Sequence, residues 1–193
     1  DKVCFRLKNW IQNGHRPVPI SVNVSRVDVY ALDVVKELNE LTDRYGLEAR
    51  LLEVEITESA YAEDTTAVAA VVEGLRTAGF TVLMDDFGSG YSSLNMLKDV
   101  NVDVLKIDMK FLDMDEQSVG KGVGILEAIT NMARLMGLRL IAEGVETREQ
   151  VDFLLNLGCI YGQGYYFYRP MPVADLEARL SDERNVDFRG LTA

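Results

Sequence analysis

Histidine is nearly missing from this chain: His15 is the single one in 193 residues, and it lies in the polar turn Asn13-Gly14-His15-Arg16-Pro17. That excludes a histidine-based nucleophilic triad and a zinc site built on several imidazoles. Cysteine is almost as scarce. Cys4 and Cys159 have no metal-ligand spacing and give no disulfide framework. They read as reduced thiols, which places the chain in the cytoplasm. No apolar run approaches the roughly 18 residues of a membrane span, and no signal-peptide pattern opens the chain, so no membrane contact is expected. Positive charge is short as well: 20 Lys and Arg stand against 31 Asp and Glu, a formal net charge of −11. A nucleic-acid polymer is therefore not an expected partner, since such binders carry a basic face. A phosphate ester stays within reach if cations mask the carboxylates. Linkers, low-complexity tracts and short-period repeats are lacking too.

What is present is an ordinary globular composition, 48% hydrophobic and 26% charged, in a length that suits one domain over 1–193. One stretch organises it: TVLMDDFGSGYSSLN, Thr81–Asn95. Val82, Leu83 and Met84 read as a buried strand that runs into Asp85 and Asp86 and then a glycine-punctuated loop. Successive side chains of a strand point to opposite faces, so neighbouring acids converge only where the backbone bends. Two aspartates on a plain surface turn are the competing reading.

Along the rest of the chain, helices alternate with strands. Val3, Leu7, Trp10 and Ile11 predict a first helix, closed by Asn13-Gly14. Ile20–Ser25 is a strand carrying Asn23, and a helix over about Asp28–Tyr45 follows, closed by Gly46. Leu51–Thr57 is a strand with Glu53 and Glu55 on one face, and the helix bearing Val68, Val71, Val72 and Leu75 leads to Gly79. A short helix with Leu94 and Leu97 precedes the strand Val104–Asp108, which holds Lys106. Met114–Gly124 reads as a mobile connection, and Ile125–Met136 as a helix ending at Gly137. Arg139–Val145 is a strand with Glu143 near its end. Thr147-Arg148-Glu149-Gln150 is a capping-box pattern opening the helix of Val151, Leu154 and Leu155. Tyr161–Phe167 is the last strand, with Gln163, and a short helix lies near Ala174–Leu180.

This alternation predicts parallel pairing through right-handed crossovers, hence an α/β fold. Of six predicted strands, nearly all place an incongruous polar residue near the C-terminal end: Asn23, Glu55, Asp85, Asp86, Glu143 and Gln163, with Lys106 close by. In a (β/α)8 TIM-type barrel those ends form the active rim. An open sheet binding a nucleotide usually carries a GxGxxG turn, which Gly88-Ser89-Gly90 does not complete. The barrel is the preferred fold, incomplete at about six strands.

Glu55, Asp85, Asp86 and Glu143 with the Asn23 amide form an all-oxygen ligand set, the chemistry of Mg²⁺, Mn²⁺ or Ca²⁺. Two metals about 4 Å apart suit in-line attack of water on a phosphodiester, with Lys106 steadying charge. Blander readings stay open for each residue: Lys106 pairing with a helix acid, Glu143 capping the next helix, Asn23 satisfying backbone.

The segments SVNVS, EVEITES, MDDFGSGYSSL, VLKIDMKF, IAEGVET and GQGYYFYRPMP resemble those of the EAL-domain family, bacterial cyclic-di-GMP phosphodiesterases. The resemblance implies metal ligands at Asn23, Glu55 and Asp85, with Asp85 bridging to a second metal near Asp86. It implies that Glu143 is the general base, that Lys106 handles the nucleophilic water, and that Gln163 supports the water network. Glu58 matches the glutamate that anchors the glycine loop, and Asp108 and Glu146 match substrate contacts. The implied reaction opens cyclic-di-GMP to linear pGpG with one or two Mg²⁺ or Mn²⁺ ions, Ca²⁺ being inhibitory. A homodimer and attached sensory or GGDEF domains in the parent are compatible with it.

The chain departs from the family in having no Glu-Ala-Leu tripeptide; Glu127-Ala128-Ile129 falls mid-helix. Ile160 stands where the family commonly has an aspartate. The family barrel has eight strands, the first two forming a hairpin that carries the tripeptide. The expectation is an amino-terminally truncated EAL domain, lacking one metal-ligating glutamate and a substrate-binding arginine, weak or inactive as given and active in the intact parent. A degenerate EAL module that binds cyclic-di-GMP or a protein without hydrolysis is the alternative, and a ligand-free scaffold is a third reading that the acid cluster disfavours.

Overall fold

The computed structural model describes residues 1–88, 101–109 and 119–181. The chain divides into two compact units, Asp1–Ile107 and Asp108–Ala193. The predicted short helix with Leu94 and Leu97 lies outside the described residues, as do the later residues of the glycine loop.

The first unit is built on a parallel sheet in sequence order. Its strands are β1 (Ile20–Asn23), β2 (Leu52–Thr57), β3 (Thr81–Phe87) and β4 (Val104–Asp108), the last residue of β4 opening the second unit. Val22 pairs with Val54, Val54 with Val82, and Leu83 with Val104. Helices α1 (Lys2–Gln12), α2 (Arg26–Ala31), α3 (Val34–Tyr45), α4 (Glu58–Glu63) and α5 (Thr65–Thr77) accompany it. A parallel sheet is covered by its crossovers, so its strands read as near-continuous apolar runs. Val54, Val82 and Leu105 are fully buried, together with Leu7 of α1 and Val68 and Leu75 of α5.

Local chemistry sets the boundaries, and in places overrides the periodicity. The strand expected over Ile20–Ser25 stops at Asn23 because Ser25 caps α2 in a box with Asp28. The single helix expected over about Asp28–Tyr45 is two. Leu32 is extended and the Asp33 carboxylate accepts the Lys36 N–H, starting α3 afresh; an apolar period running across the break hides it from pattern reading. Leu51 belongs to a 3-10 turn before β2. Helix α4 was not expected at all. Thr57 caps it, and Asp64 then caps α5 by accepting the Ala67 N–H at 3.0 Å.

The second unit holds α6 (Val119–Leu135), β5 (Arg139–Glu143), α7 (Arg148–Leu157), β6 (Tyr161–Gln163) and α8 (Val173–Ser181). β5 and β6 are parallel, Glu143 facing Gln163 in register. Residues 119–124, expected within a mobile connection, are helical despite their glycines; each such glycine costs roughly 1 kcal/mol relative to alanine, which tertiary packing can override. Glu127-Ala128-Ile129 falls inside α6, as expected. Leu154 is buried, but Leu155, named with it as an apolar residue of this helix, is 52% exposed. The strand expected over Tyr161–Phe167 ends at Gln163, and that over Arg139–Val145 at Glu143. Gly164 turns the chain, its carbonyl accepting from the N–H groups of Phe167 and Tyr168.

Candidate active site

In the first unit, register decides which polar side chains meet. Asn23 is opposite Glu55, and Glu55 is opposite Leu83. Residues paired in register in a parallel sheet share a face, and so do residues two apart along a strand. Asn23, Glu55 and Asp85 therefore belong to one face. Lys106, next after Leu105, which pairs with Met84, falls beside Asp85 on that face. The Lys106 Nζ lies 2.9 Å from Glu55 Oε1 and 3.1 Å from Asp85 Oδ1. Lys106 is 4% and Glu55 8% exposed while Asp85 is half-buried, so one buried ammonium answers one buried and one half-buried carboxylate. Lys106 thus pairs with strand acids.

A bulge in β3 resolves the problem of two adjacent aspartates. Met84 pairs with Leu105 and Phe87 with Ile107, so three steps on β3 match two on β4. Asp86 takes a positive φ of 56°, uncommon for a residue with a side chain, and its N–H donates to Asp85 Oδ1 at 3.0 Å. The backbone bends where the acids sit, and Asp85 is half-buried while Asp86 is exposed. Just beyond, the buried Glu58 at the start of α4 accepts the Gly88 N–H on Oε2 at 2.7 Å. The base of the glycine loop is thereby tied to the end of β2.

In the second unit, Asp108, Glu143, Glu146 and Gln163 line one cavity of about 450 Å³, with Gln150 and Tyr165 also in its wall. Four residues singled out from the sequence come together here. The turn after β5 and the turn after β6 are bonded to each other: Val145 N–H donates to Gln163 O at 3.1 Å and Tyr166 N–H to Val145 O at 3.0 Å. A Cβ on Gly164 would collide with the Val145 backbone, so only glycine permits this approach. Gly144 is constrained by its φ of 73° more than by space, the Asp108 Oδ1 lying 3.4 Å from where a Cβ would stand. Gln150 and Gly164 were not chosen from the sequence. The capping box that Thr147 and Gln150 form was foreseen, but not that its glutamine faces a cavity. A second cavity, about 760 Å³, is lined by Tyr165, Phe167, Tyr168 and Arg169 with α8, and none of the sequence-chosen residues lines it.

The donor set of the first unit fits a hard divalent cation. Asn23, Glu55, Asp85 and Asp86 offer only oxygen, without the sulfur or imidazole that zinc or copper sites use. Glu55 and Asp85 already turn oxygens toward one positive charge, and their two formal charges exceed that of Lys106.

Comparison with known proteins bears on the family and the fold. The EAL domain profile matches residues 1–170. NbdA, a cyclic di-GMP phosphodiesterase of Pseudomonas aeruginosa, is 36% identical over 176 residues, covering 91% of this chain and 22% of NbdA. The chain thus spans under a quarter of that relative. The solved c-di-GMP complex of the phosphodiesterase PaMucR superposes with a TM-score of 0.82 at 36% identity, covering 91% of this chain and 70% of the other. A manganese and cyclic-diGMP complex of Klebsiella pneumoniae BlrP1 gives 0.76 at 27% identity, covering 86% and 43%. The fold class is the α/β barrel type expected from the alternation, with six strands among the described residues. A profile matched over nearly the whole chain and an identity above a third point the same way as the oxygen-donor strand ends: the chain belongs to the EAL domain family.

Proposed function

We propose that the protein hydrolyses a phosphodiester bond of cyclic-di-GMP, yielding linear pGpG, with Mg²⁺ or Mn²⁺ as the working cation and Ca²⁺ as an inhibitor. The observation that carries the reading is the buried Lys106 ammonium held between the buried Glu55 and the half-buried Asp85. Burying such charges costs several kcal/mol unless they are paired, and stability alone rarely favours keeping them. We read both compact units as parts of one family domain, working in the cytoplasm with its two cysteines reduced. Further sensory or cyclase domains fit a chain that spans 22% of a relative, and a homodimer belongs to the same proposal.

Asn23, Glu55, Asp85 and Asp86 hold the cations. When bound, these supply Lewis-acid polarisation of the phosphoryl oxygens and lower the pKa of water. Glu143 takes the proton of the attacking water as general base. Lys106 steadies negative charge at the phosphorus and orients that water. Gln163, beside Glu143 in register, hydrogen-bonds the water network. Asp108 and Glu146 contact the substrate from the cavity wall. Glu58 acts at one remove, holding the glycine loop that places Asp85 and Asp86. The water oxygen bonds to phosphorus as the P–O bond to one ribose oxygen breaks; that ribose oxygen takes up a proton and Glu143 releases the one it accepted, so one water is consumed per bond opened.

Calorimetry with cyclic-di-GMP, with and without Mn²⁺, combined with chromatography for pGpG, tests the reading. Metal-dependent binding with product supports it. Binding that ignores metal and yields no product overturns hydrolysis in favour of a receptor, and no binding under either condition overturns the ligand assignment.

A further inference from the structure

Helix α7 begins with a capping box in which the Gln150 side chain reaches back to the Thr147 backbone. A capping glutamine usually sits at the surface with its amide in water. Gln150 is half-buried and lines the cavity that also holds Asp108, Glu143, Glu146 and Gln163. Its Oε1 accepts from two backbone N–H groups, Glu146 at 2.7 Å and Thr147 at 3.1 Å. Those bonds fix which way the amide points: with the oxygen engaged, the Nε2 protons are what Gln150 can offer a ligand. The same bond joins Gln150 to the backbone of Glu146, and both residues line the one cavity. A neutral donor beside an anionic acceptor is the complement of guanine, which presents a carbonyl acceptor, O6, next to N–H donors. Adenine presents an amino donor where guanine has O6, so the pair is mismatched to it.

We propose that Gln150 is a specificity-determining residue, donating from Nε2 to the O6 edge of guanine while Glu146 accepts from the adjoining N–H groups. The proposal rests on the cyclic-di-GMP reading above and adds how the base is told from adenine.

The test uses Gln150→Glu. Glutamate serves a capping box as well as glutamine, so the backbone bonds of α7 survive while the donor is lost. Affinities for cyclic-di-GMP and cyclic-di-AMP are measured by competition against fluorescent cyclic-di-GMP, with Ca²⁺ present to prevent turnover, and thermal unfolding is followed in parallel. The expected result is an unchanged Tm and a fall of about tenfold or more in the guanine-to-adenine affinity ratio, the worth of one or two hydrogen bonds. Equal weakening of both dinucleotides means that the added charge repels phosphate, and it overturns the proposal, as does an unchanged ratio. Wild-type protein that binds neither dinucleotide overturns the cyclic-di-GMP reading and this proposal with it. Wild-type binding with an unaltered variant ratio overturns the proposal alone.

Discussion

Glu58 Oε2 and the Gly88 amide nitrogen are 2.7 Å apart, joined by a hydrogen bond that spans 30 residues of chain. A buried carboxylate at the start of a helix thereby fixes the first turn after the paired aspartates. Replacing Glu58 with alanine leaves the Gly88 N–H without its charged acceptor, at a cost of about 1.5–3 kcal/mol. Glu58→Gln keeps an acceptor oxygen and loses less. Amide hydrogen exchange at Gly88 is the measurement: fast in the alanine variant, slowed again in the glutamine variant. Equal exchange in all three would show that the bond does not hold the loop.

The trio of Lys106, Glu55 and Asp85 predicts a stability effect that depends on metal. Lys106→Met leaves the buried Glu55 and the half-buried Asp85 without their shared cation; breaking a fully buried pair costs about 3–5 kcal/mol, and this site should lose up to that. A cation that binds only the folded state offsets part of this by mass action. Thermal unfolding should show Lys106→Met gaining more from excess Mn²⁺ than the wild type does, and chelation should remove the gain. The same substitution abolishes pGpG formation.

Gly164→Ala tests the close approach of the turns after β5 and β6. No side chain fits against the Val145 backbone, so the turn must move and the Val145-to-Gln163 hydrogen bond breaks. The expected loss is about 1–3 kcal/mol or more, with Val145 amide protection falling alongside. Gly158→Ala is the control. Its Cβ meets nothing within 4 Å, and its φ of 85° leaves only backbone strain, about 1–2 kcal/mol.

Asp64 predicts how acid acts on the start of α5. The Ala67 N–H, and after it the Tyr30 hydroxyl at 2.8 Å, hold its carboxyl below the ordinary value. The folded pKa therefore lies under the unfolded one. The stabilisation is complete above the ordinary carboxylate range and is lost as pH falls through the folded pKa. Urea midpoints of wild type and Asp64→Ala, measured from about pH 7 down to about pH 3, should differ most near neutrality and converge in acid. In Tyr30→Phe the acid loss should be smaller and should finish at a higher pH, because the folded pKa lies closer to the unfolded one.

Much of this was legible in the amino-acid order because it rests on short-range rules. Alternating apolar runs marked the strands, Gly46 and Gly137 stopped helices with positive φ, and Thr147 with Gln150 declared a capping box. Polar residues at the ends of apolar strands marked the candidate site, since a buried acid is too costly to be there without a partner.

Other features depended on groups distant in sequence. Whether Lys106 met helix acids or strand acids was decided by register across β2, β3 and β4, which no local pattern contains. The bend at Asp85 and Asp86 came from one extra residue in β3 against β4, and the end of β6 from the room that Val145 leaves beside Gly164. Leu155 kept its helical period and still faced solvent, because periodicity marks a face without saying what covers it. By itself, the sequence determined the alternation of elements and the residue chemistry at the strand ends. Tertiary structure alone decided which charges share a burial site, because pairing energy depends on distance in space rather than on separation along the chain.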